Sequence, residues 1–306
     1  METVLITGGT GMIGHSLRSV LLEKGYRVIV LTRDKSKQES NINGLDYAEW
    51  DVEKMKIDKE AIAAADYIIH LAGAGVADKR WTAKRKQEII SSRVKSGELL
   101  VKALNETSNK VKAVISISGI GYYGPDTGGK AFVESDSSFS DFLGDTCVKW
   151  EAAIQPVETI GKRLVIFRTG VVLSNKGGAI KEFKKPLRFG FATILGSGKQ
   201  IVSWIHIDDA VKMFLYAIEN NLLSGIYNAV SPGPVSNKEL ILQLAKTNNR
   251  FYIPFIVPAF ILKIVVGELS IEVLKSATVN SKKVEGSGFV FQYPTIESAI
   301  RKLAAS

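Results

Sequence analysis

The 306 residues include only one cysteine and three histidines. Cys147 has no second cysteine to pair with, so no internal disulfide can form, and a reducing, cytoplasmic setting fits. His15, His70 and His206 show no metal-ligand spacing, so no metal is expected. Long hydrophobic runs are also missing. The longest, FIVPAFILKIVV from Phe255 to Val266, is broken by Pro258 and Lys263 and is too short to span a bilayer. No signal peptide is expected, because Val4 already belongs to the first strand. Acidic residues are fewer than basic ones, 31 against 40, a formal net charge of +9. Apart from KEFKKPLR (Lys181 to Arg188) the basic residues are scattered, and no nucleic-acid motif accompanies them. The excess suits a phosphorylated cofactor or an anionic substrate. The partners expected are therefore a small-molecule substrate and, compatibly, a second copy in a homodimer, with no nucleic acid and no membrane.

Hydrophobic residues make up 45% of the chain and charged ones 23%, enough for a sizeable core in one large or two unequal domains. The first half alternates β-rich runs with helical patterns. TVLIT, YRVIVLT, YIIHLAG, KAVISISG and RLVIFRTGVVL read as strands. Helices are expected after the first strand (with Ile13, Leu17, Val20 and Leu21 on one face and a stop at Gly25), from near Asp58, over roughly 83–105 and over about 142–160. This alternation predicts an α/β, Rossmann-type, doubly wound parallel sheet over residues 1–173. A smaller, mainly helical substrate lobe is expected over 174–306, with a strand and helix returning to the sheet from about 200–230. SNKGGAIKEF reads as a loop, a helix begins near Asp208, Ser236 or Asn237 caps the next one, and the tail from Pro254 reads as mainly helical.

The stretch VLITGGTGMIG places glycines at 8, 11 and 14 between a strand and a helix, the setting a dinucleotide fingerprint requires. Gly8 can make the tight turn, Gly11 lets backbone approach a pyrophosphate, and Gly14 lets the helix pack close to the sheet. Gly8, Thr10, Gly11, Met12 and Ile13 are then the loop and helix-start positions whose N–H groups and dipole would bind phosphate. At the end of the second strand an NAD enzyme places an acidic residue against the ribose. Here Thr32 and Arg33 stand there, and Arg33 can grip a 2′-phosphate, which points to NADP(H). The alternative is a solvated Arg33, with Asp34 turned inward to serve NAD.

The spacing of TGGTGMIG after Thr7 resembles the extended branch of the short-chain dehydrogenase/reductases. HLAG, KRWTAKRKQEIISSRVKSGELLVKAL, SGIGYYG, KWEAA, FRTGVVLSNKGGAI, GSGKQIVSWIHIDD, VVGELSIEVLKS and the closing GSGFVFQYP together resemble its epimerase family. That likeness covers nearly the whole chain, including a C-terminal domain of unknown function. The resemblance implies that Thr32 and Arg33 form the cofactor-phosphate pair and that His70, Leu71, Ala72 and Gly73 pass along the dinucleotide. It further implies that Glu88 and Arg93 lie near it and that Val171 lies beside the nicotinamide. Read without the resemblance, Glu88 and Arg93 form a solvated helix face and His70 is a satisfied strand-end residue.

The standard relay of these enzymes is a Ser, a Tyr and a Lys four residues after the Tyr, in which the lysine's charge lowers the phenol's pKa. None of the nine tyrosines has a lysine four places on. Ser118 stands where the serine belongs. Tyr122 or Tyr123 could present a phenol, Lys149 could touch the ribose, and His206 could reach the cleft and titrate near neutrality. Tyr123 also fits a packed Tyr-Gly turn, and His206 a residue that orders its loop. Ser118, Tyr122 and Lys149 are the expected catalytic set. GSGKQ is no P-loop, because no Ser or Thr follows its lysine. The reading is an NADP-dependent oxidoreductase that moves hydride to or from a carbonyl or alcohol carbon. Its alternatives are a non-catalytic NADP-binding redox sensor and an NAD-dependent sugar-nucleotide epimerase.

Overall fold

The structure, a computed structural model, describes residues 1–37, 42–247 and 251–305. The chain begins with β1 (Thr3–Thr7), α1 (Met12–Glu23), β2 (Arg27–Thr32), β3 (Leu45–Asp51) and β4 (Lys56–Ile57). Next come α2 (Lys59–Ala64), β5 (Tyr67–His70), α3 (Ala83–Glu106), β6 (Ala113–Gly119), α4 (Phe142–Ile154) and β7 (Arg163–Thr169). Side-chain caps mark the starts: Asp58 accepts from Glu60 and Ala61 N–H, Thr82 from Arg85 N–H and Asp141 from Gly144 N–H. The helix expected to reach 160 ends at Ile154, because Pro156 follows in a 3₁₀ turn.

The chain then runs through β8 (Val171–Leu173), α5 (Gly178–Leu187), β9 (Phe191–Leu195), β10 (Ile201–Val202), β11 (Trp204–His206) and α6 (Ile207–Glu219). It continues with β12 (Gly225–Ala229), β13 (Val235–Ser236), α7 (Asn237–Thr247) and β14 (Ile253–Val257). Four helices close it: α8 (Ala259–Val266), α9 (Leu269–Leu274), α10 (Lys282–Gly286) and α11 (Ile296–Ala305).

Eight strands form the main sheet in the order β12-β7-β6-β5-β1-β2-β3-β4, parallel except for the β3–β4 pair. The order reverses beside β1, which opens a crevice at the carboxyl ends of β1 and β5. One apolar layer joins Leu17 and Leu21 of α1 with Met213 and Phe214 of α6 on one face of the sheet. On the other face Ile62 of α2, Leu99 and Leu100 of α3 and Ile154 of α4 pack with Leu5 and Ile68. A third cluster, including Trp204, Leu240, Ile241 and Ile300, fills the smaller lobe. Asp209, buried at the start of α6, accepts from the N–H groups of Gln292 and Tyr293 at 2.7 and 2.9 Å. That bond, with Phe289 and Phe291 buried below it, is the structural reason for the GSGFVFQYP segment.

Three segments differ from the sequence reading. The sequence reading contains no strand at LDYAEWD, yet β3 buries side chains on both faces of the sheet, Leu45 in the layer with α1 and α6 and Ala48 and Trp50 in the layer with α2 and α3. SNKGGAIKEF is not a loop throughout, because α5 starts at Gly178 and buries Ile180 and Leu187. The tail from Pro254 opens as a strand, because β14 finds a parallel partner in β9 some sixty residues back. Such pairing is long-range and leaves no local periodicity to read.

Candidate functional site

The crevice is floored by the loop from β1 to α1. Gly8 has φ +68°, and a Cβ there would stand 2.8 Å from the Leu71 carbonyl. A Cβ on Gly14 would stand 2.4 Å from the Gly8 carbonyl oxygen and 2.6 Å from Gly9 Cα. The turn closes with Gly11 N–H donating to the Gly8 carbonyl at 3.0 Å. Unlike α2, α3, α4 and α6, helix α1 has neither a side-chain cap nor an acidic residue in its first turn. Its positive end is therefore open to an anion, with Thr10 and Gly11 exposed and Met12 and Ile13 half-buried beside it. Met12 also lies against the loop before α5, where a Cβ on Gly177 would sit 3.6 Å from its Sδ. Val171, half-exposed, opens β8 and pairs with Trp204 of β11 outside the main sheet.

Thr7 locks this floor to the next strand. Its Oγ1 accepts the N–H groups of Leu71 and Ala72 at 3.1 and 3.2 Å and lies 2.8 Å from His70 Nδ1. With both lone pairs used, the hydroxyl proton goes to Nδ1. His70 is then the Nε2–H tautomer and donates to Ser96 Oγ (3.4 Å), which donates to the Arg93 carbonyl (3.0 Å). Burial, aided by the charge of Arg93, lowers the His70 pKa to about 3. The imidazole is thus a buried, neutral strut, and it is the main chain of Leu71, Ala72 and Gly73 that runs along the crevice. An unfolded chain protonates this histidine near pH 6.5, the folded one only near 3, so the stability it gives is fully present above 6.5 and lost as pH falls between the two. In urea melts, the stability advantage of wild type over His70→Asn should shrink below pH 6.5 by up to about 1.4 kcal/mol per pH unit. A pH-independent difference would contradict the assignment.

Arg33 is exposed at the tip of β2, with no acidic partner among the described residues. Thr32 is half-buried, and Asp34 is held in the turn, its Oδ1 accepting Ser36 N–H at 3.0 Å and Ser36 Oγ at 2.6 Å. Glu88 and Arg93 do not pair. Glu88 is exposed and bonds Arg85 at 2.8 Å, which holds its carboxyl below the ordinary value. Arg93 is buried, and burial lowers its pKa to about 10. It donates to the Ala74 and Ile89 carbonyls at 2.9 Å each and stacks on Trp150 at 4.6 Å. A Cβ on Gly73 would sit 3.1 Å from Arg93 Cζ, so glycine there lets the guanidinium support the crevice wall.

The expected catalytic set is not gathered in one place. Ser118 is buried, and its Oγ donates to Glu151 Oε1 at 2.8 Å. Strand alternation turns 116 and 118 to one side of β6 and leaves Gly119, which has no side chain, on the other. Lys149 is exposed: on α4 it stands about 200° from both Cys147 and Glu151, which face the sheet. The residues of α4 at the end of β6 are four apart and of another kind. Leu143 meets Gly121, Cys147 Sγ lies 3.5 Å from the Gly119 carbonyl, and Glu151 holds Ser118. Burial pushes the Cys147 thiol up to about 11, so no thiolate stands there. Tyr122 is half-buried under the Arg168 guanidinium, whose Cζ is 3.4 Å from the ring centroid. Tyr123 is fully buried, donating to Asn228 Oδ1 (2.8 Å) and accepting from Arg168 Nη1 (3.0 Å), and burial pushes its phenol up to about 12. His206 is buried as well, its Nδ1 accepting the Asp208 N–H at 3.2 Å to cap α6, and its ring packs on Tyr293.

Sequence reasoning gave no role to the pair that organises this wall. Arg168 meets Glu151 in a bidentate bond, Nε to Oε1 at 2.9 Å and Nη2 to Oε2 at 2.8 Å. Burial opposes the Arg168 charge, but the bonds from Glu151 outweigh it and raise its pKa. The residues lie in KWEAA and FRTGVV, and an arginine inside an otherwise apolar strand was the available signal. Among the described residues no cluster of His, Cys, Asp or Glu could hold a metal.

Residues 4–142 match the NAD dependent epimerase/dehydratase family, and residues 257–303 match a domain of unknown function, DUF1731. The chain is 36% identical over 304 residues to the epimerase family protein YfhF of Bacillus subtilis, covering 99% of this chain and 98% of that one. The human epimerase family protein SDR39U1, solved with NADPH, superposes with a TM-score of 0.87 at 28% identity over 99% of both chains. A nucleoside-diphosphate sugar epimerase from Corynebacterium glutamicum matches with a TM-score of 0.78 at 30% identity, over all of this chain but 59% of its own length. UDP-glucose 4-epimerase of Thermus thermophilus, solved with NAD, shares the fold at 18% identity, a TM-score of 0.78, and 99% and 98% coverage. With an NAD(P)-type glycine cradle at its amino end and DUF1731 at its carboxyl end, this chain belongs to the epimerase family related to the sugar-nucleotide epimerases.

Proposed function

We propose that this protein is an NADP-dependent oxidoreductase of the epimerase type, moving hydride between the nicotinamide and a carbonyl or alcohol carbon. The observation that carries the reading is the uncapped amino end of α1 above a loop with no room for side chains at Gly8 and Gly14. Gly8, Thr10, Gly11, Met12 and Ile13 would hold the pyrophosphate, and Leu71, Ala72 and Gly73 would flank the adenine side, backed by Arg93. Val171 would border the nicotinamide, which when bound supplies the carbon that gives or takes hydride. Tyr122 is the side chain best held to exchange a proton at its Oη, since its ring is fixed under Arg168. Ser118 and Glu151 would act behind it as positioning residues.

The choice of NADP rests on Arg33, unpaired by acid among the described residues, and on the NADPH of the human relative. Asp34 already has its Oδ1 engaged by Ser36 in the turn. A second reading, an NAD-dependent sugar-nucleotide epimerase, draws on the epimerases of the same fold that were solved with NAD. A third, a dinucleotide-binding sensor without turnover, is favoured by Leu143 and Cys147 standing four apart on the α4 face at the end of β6. Fluorescence titration with NADPH and NADH separates the first two. Arg33→Ala should weaken NADPH about 10- to 100-fold, the loss of one charged hydrogen-bonding partner, and leave NADH within about twofold. Equal binding of both dinucleotides, unaltered by the substitution, would move the reading to NAD. Turnover of a carbonyl panel and of UDP-sugars, or its absence, separates enzyme from sensor.

A further inference from the structure

The smaller lobe carries an apolar surface that no element among the described residues covers. Phe189 and Phe251 are 80% and 84% exposed, and Phe260 and Ile264 of α8 are 66% and 67% exposed. Phe191 and Phe255, each about half exposed, join them with ring centroids 6.5 Å apart. The surface is continuous. Ile253 N–H donates to the Gly190 carbonyl at 2.8 Å, which holds the 189–191 turn against β14, and α8 follows β14 after a single proline. Six such side chains exceed the few hundred Å² of contiguous apolar surface that a monomer normally leaves to water.

Its charge has one sign. Lys181, Arg188 and Lys263 are exposed on α5, at its end and on α8, with no acidic partner among the described residues. Glu182 of α5 is paired with Lys185 at 2.6 Å, and Glu268, just beyond α8, with Lys86. Burial, with a smaller contribution from the nearby Arg188, lowers the Lys184 pKa. A second copy seated across a two-fold axis would press this positive face on itself. An anionic bilayer offers the opposite match, since aromatic and aliphatic groups enter the acyl boundary while Lys and Arg snorkel to the headgroups.

We propose that the β14–α8 face, with the Phe189 turn, is a docking surface for anionic lipid, on which the protein lies without crossing it. No helix among the described residues is long and apolar enough to span a bilayer. The sequence expectation of no membrane partner rested on span length, which does not bear on a surface assembled from two separate segments, the 189–191 turn and the β14–α8 stretch.

Flotation with vesicles of phosphatidylcholine alone, and of phosphatidylcholine with about a third phosphatidylglycerol, tests this. The full-length chain should float with the anionic vesicles and stay behind with the neutral ones. Lys181→Glu with Arg188→Glu should cut binding by at least roughly fivefold per cation, as should raising the salt. Phe260→Ser with Ile264→Ser should abolish it, with circular dichroism unchanged because both side chains face solvent. No flotation with either vesicle overturns the proposal. So does a dimer in light scattering that Phe260→Ser dissociates, which would give the face to a second copy. Binding that ignores all four substitutions overturns it too. Dinucleotide binding should be untouched by every variant, so failure here leaves the proposed function standing.

Discussion

Glu151→Ala should destabilise the protein by about 3–5 kcal/mol, the largest effect expected of any single side chain here. The Arg168 side chain is 2% exposed and its partner 9%, so removing the carboxylate strands a guanidinium away from water. It also strands Ser118 Oγ, which donates to the same carboxylate. Much of the cost is the unpaired charge rather than the worth of the bond. Pairing Glu151→Ala with Arg168→Met should therefore recover a good part of the loss, because an apolar side chain of similar length does not need the carboxylate. Guanidinium melts of both single variants and of the double measure the coupling directly. A single-variant loss below about 1 kcal/mol, the scale of an exposed pair, would show that the network does not stabilise the fold as its geometry implies.

Gly14→Ala tests the crevice floor with an opposite sign built in. In an open helix, alanine in place of glycine stabilises by about 1 kcal/mol. Position 14 lies inside α1, so propensity alone forecasts a higher melting temperature. The contacts forecast the reverse. A methyl there would meet two main-chain groups of the loop, the Gly8 carbonyl oxygen at 2.4 Å and Gly9 Cα at 2.6 Å, and neither can swing aside as a side chain can. The loop must open or the helix must shift, and either one displaces the N–H groups of Gly11, Met12 and Ile13. The expected result is a loss of about 1–3 kcal/mol in stability together with a fall in dinucleotide affinity of about 100-fold or more. Calorimetry and a fluorescence titration on one preparation give both numbers. A stabilised variant with unchanged binding would mean that the loop does not grip a pyrophosphate.

These two residues differ in how far sequence alone reaches. The consequence of Gly14 is carried by residues within six positions of it, so strand, loop and helix were readable in order. Glu151 and Arg168 come from a helix and a strand that meet only when β7 lies beside β6, and neither segment taken alone signals a partner. Ser118 shows the same limit at finer scale. Its position at the end of β6 was readable. The side of the strand it faces was not, and that side gives its hydroxyl to Glu151 instead of the crevice. Lys149 is a case where helical periodicity could have warned, since the residues two places either side of it, Cys147 and Glu151, face inward.

By itself the sequence determined the class of fold, the glycine cradle, the helix starts near Asp58, Ala83 and Phe142, and the absence of a Tyr-x-x-x-Lys pair. These follow from turn chemistry, capping and periodicity, which act over a few residues. Only the tertiary structure decided that His70 is a neutral strut on Thr7, that Arg168 clamps Tyr122, and that β14 pairs with β9. It likewise decided that an apolar, positively charged face is left open on the smaller lobe. The physical reason is common to all four. Partners tens of residues apart are chosen by burial, hydrogen-bond satisfaction and excluded volume in the assembled core, and those quantities do not exist until the chain has folded.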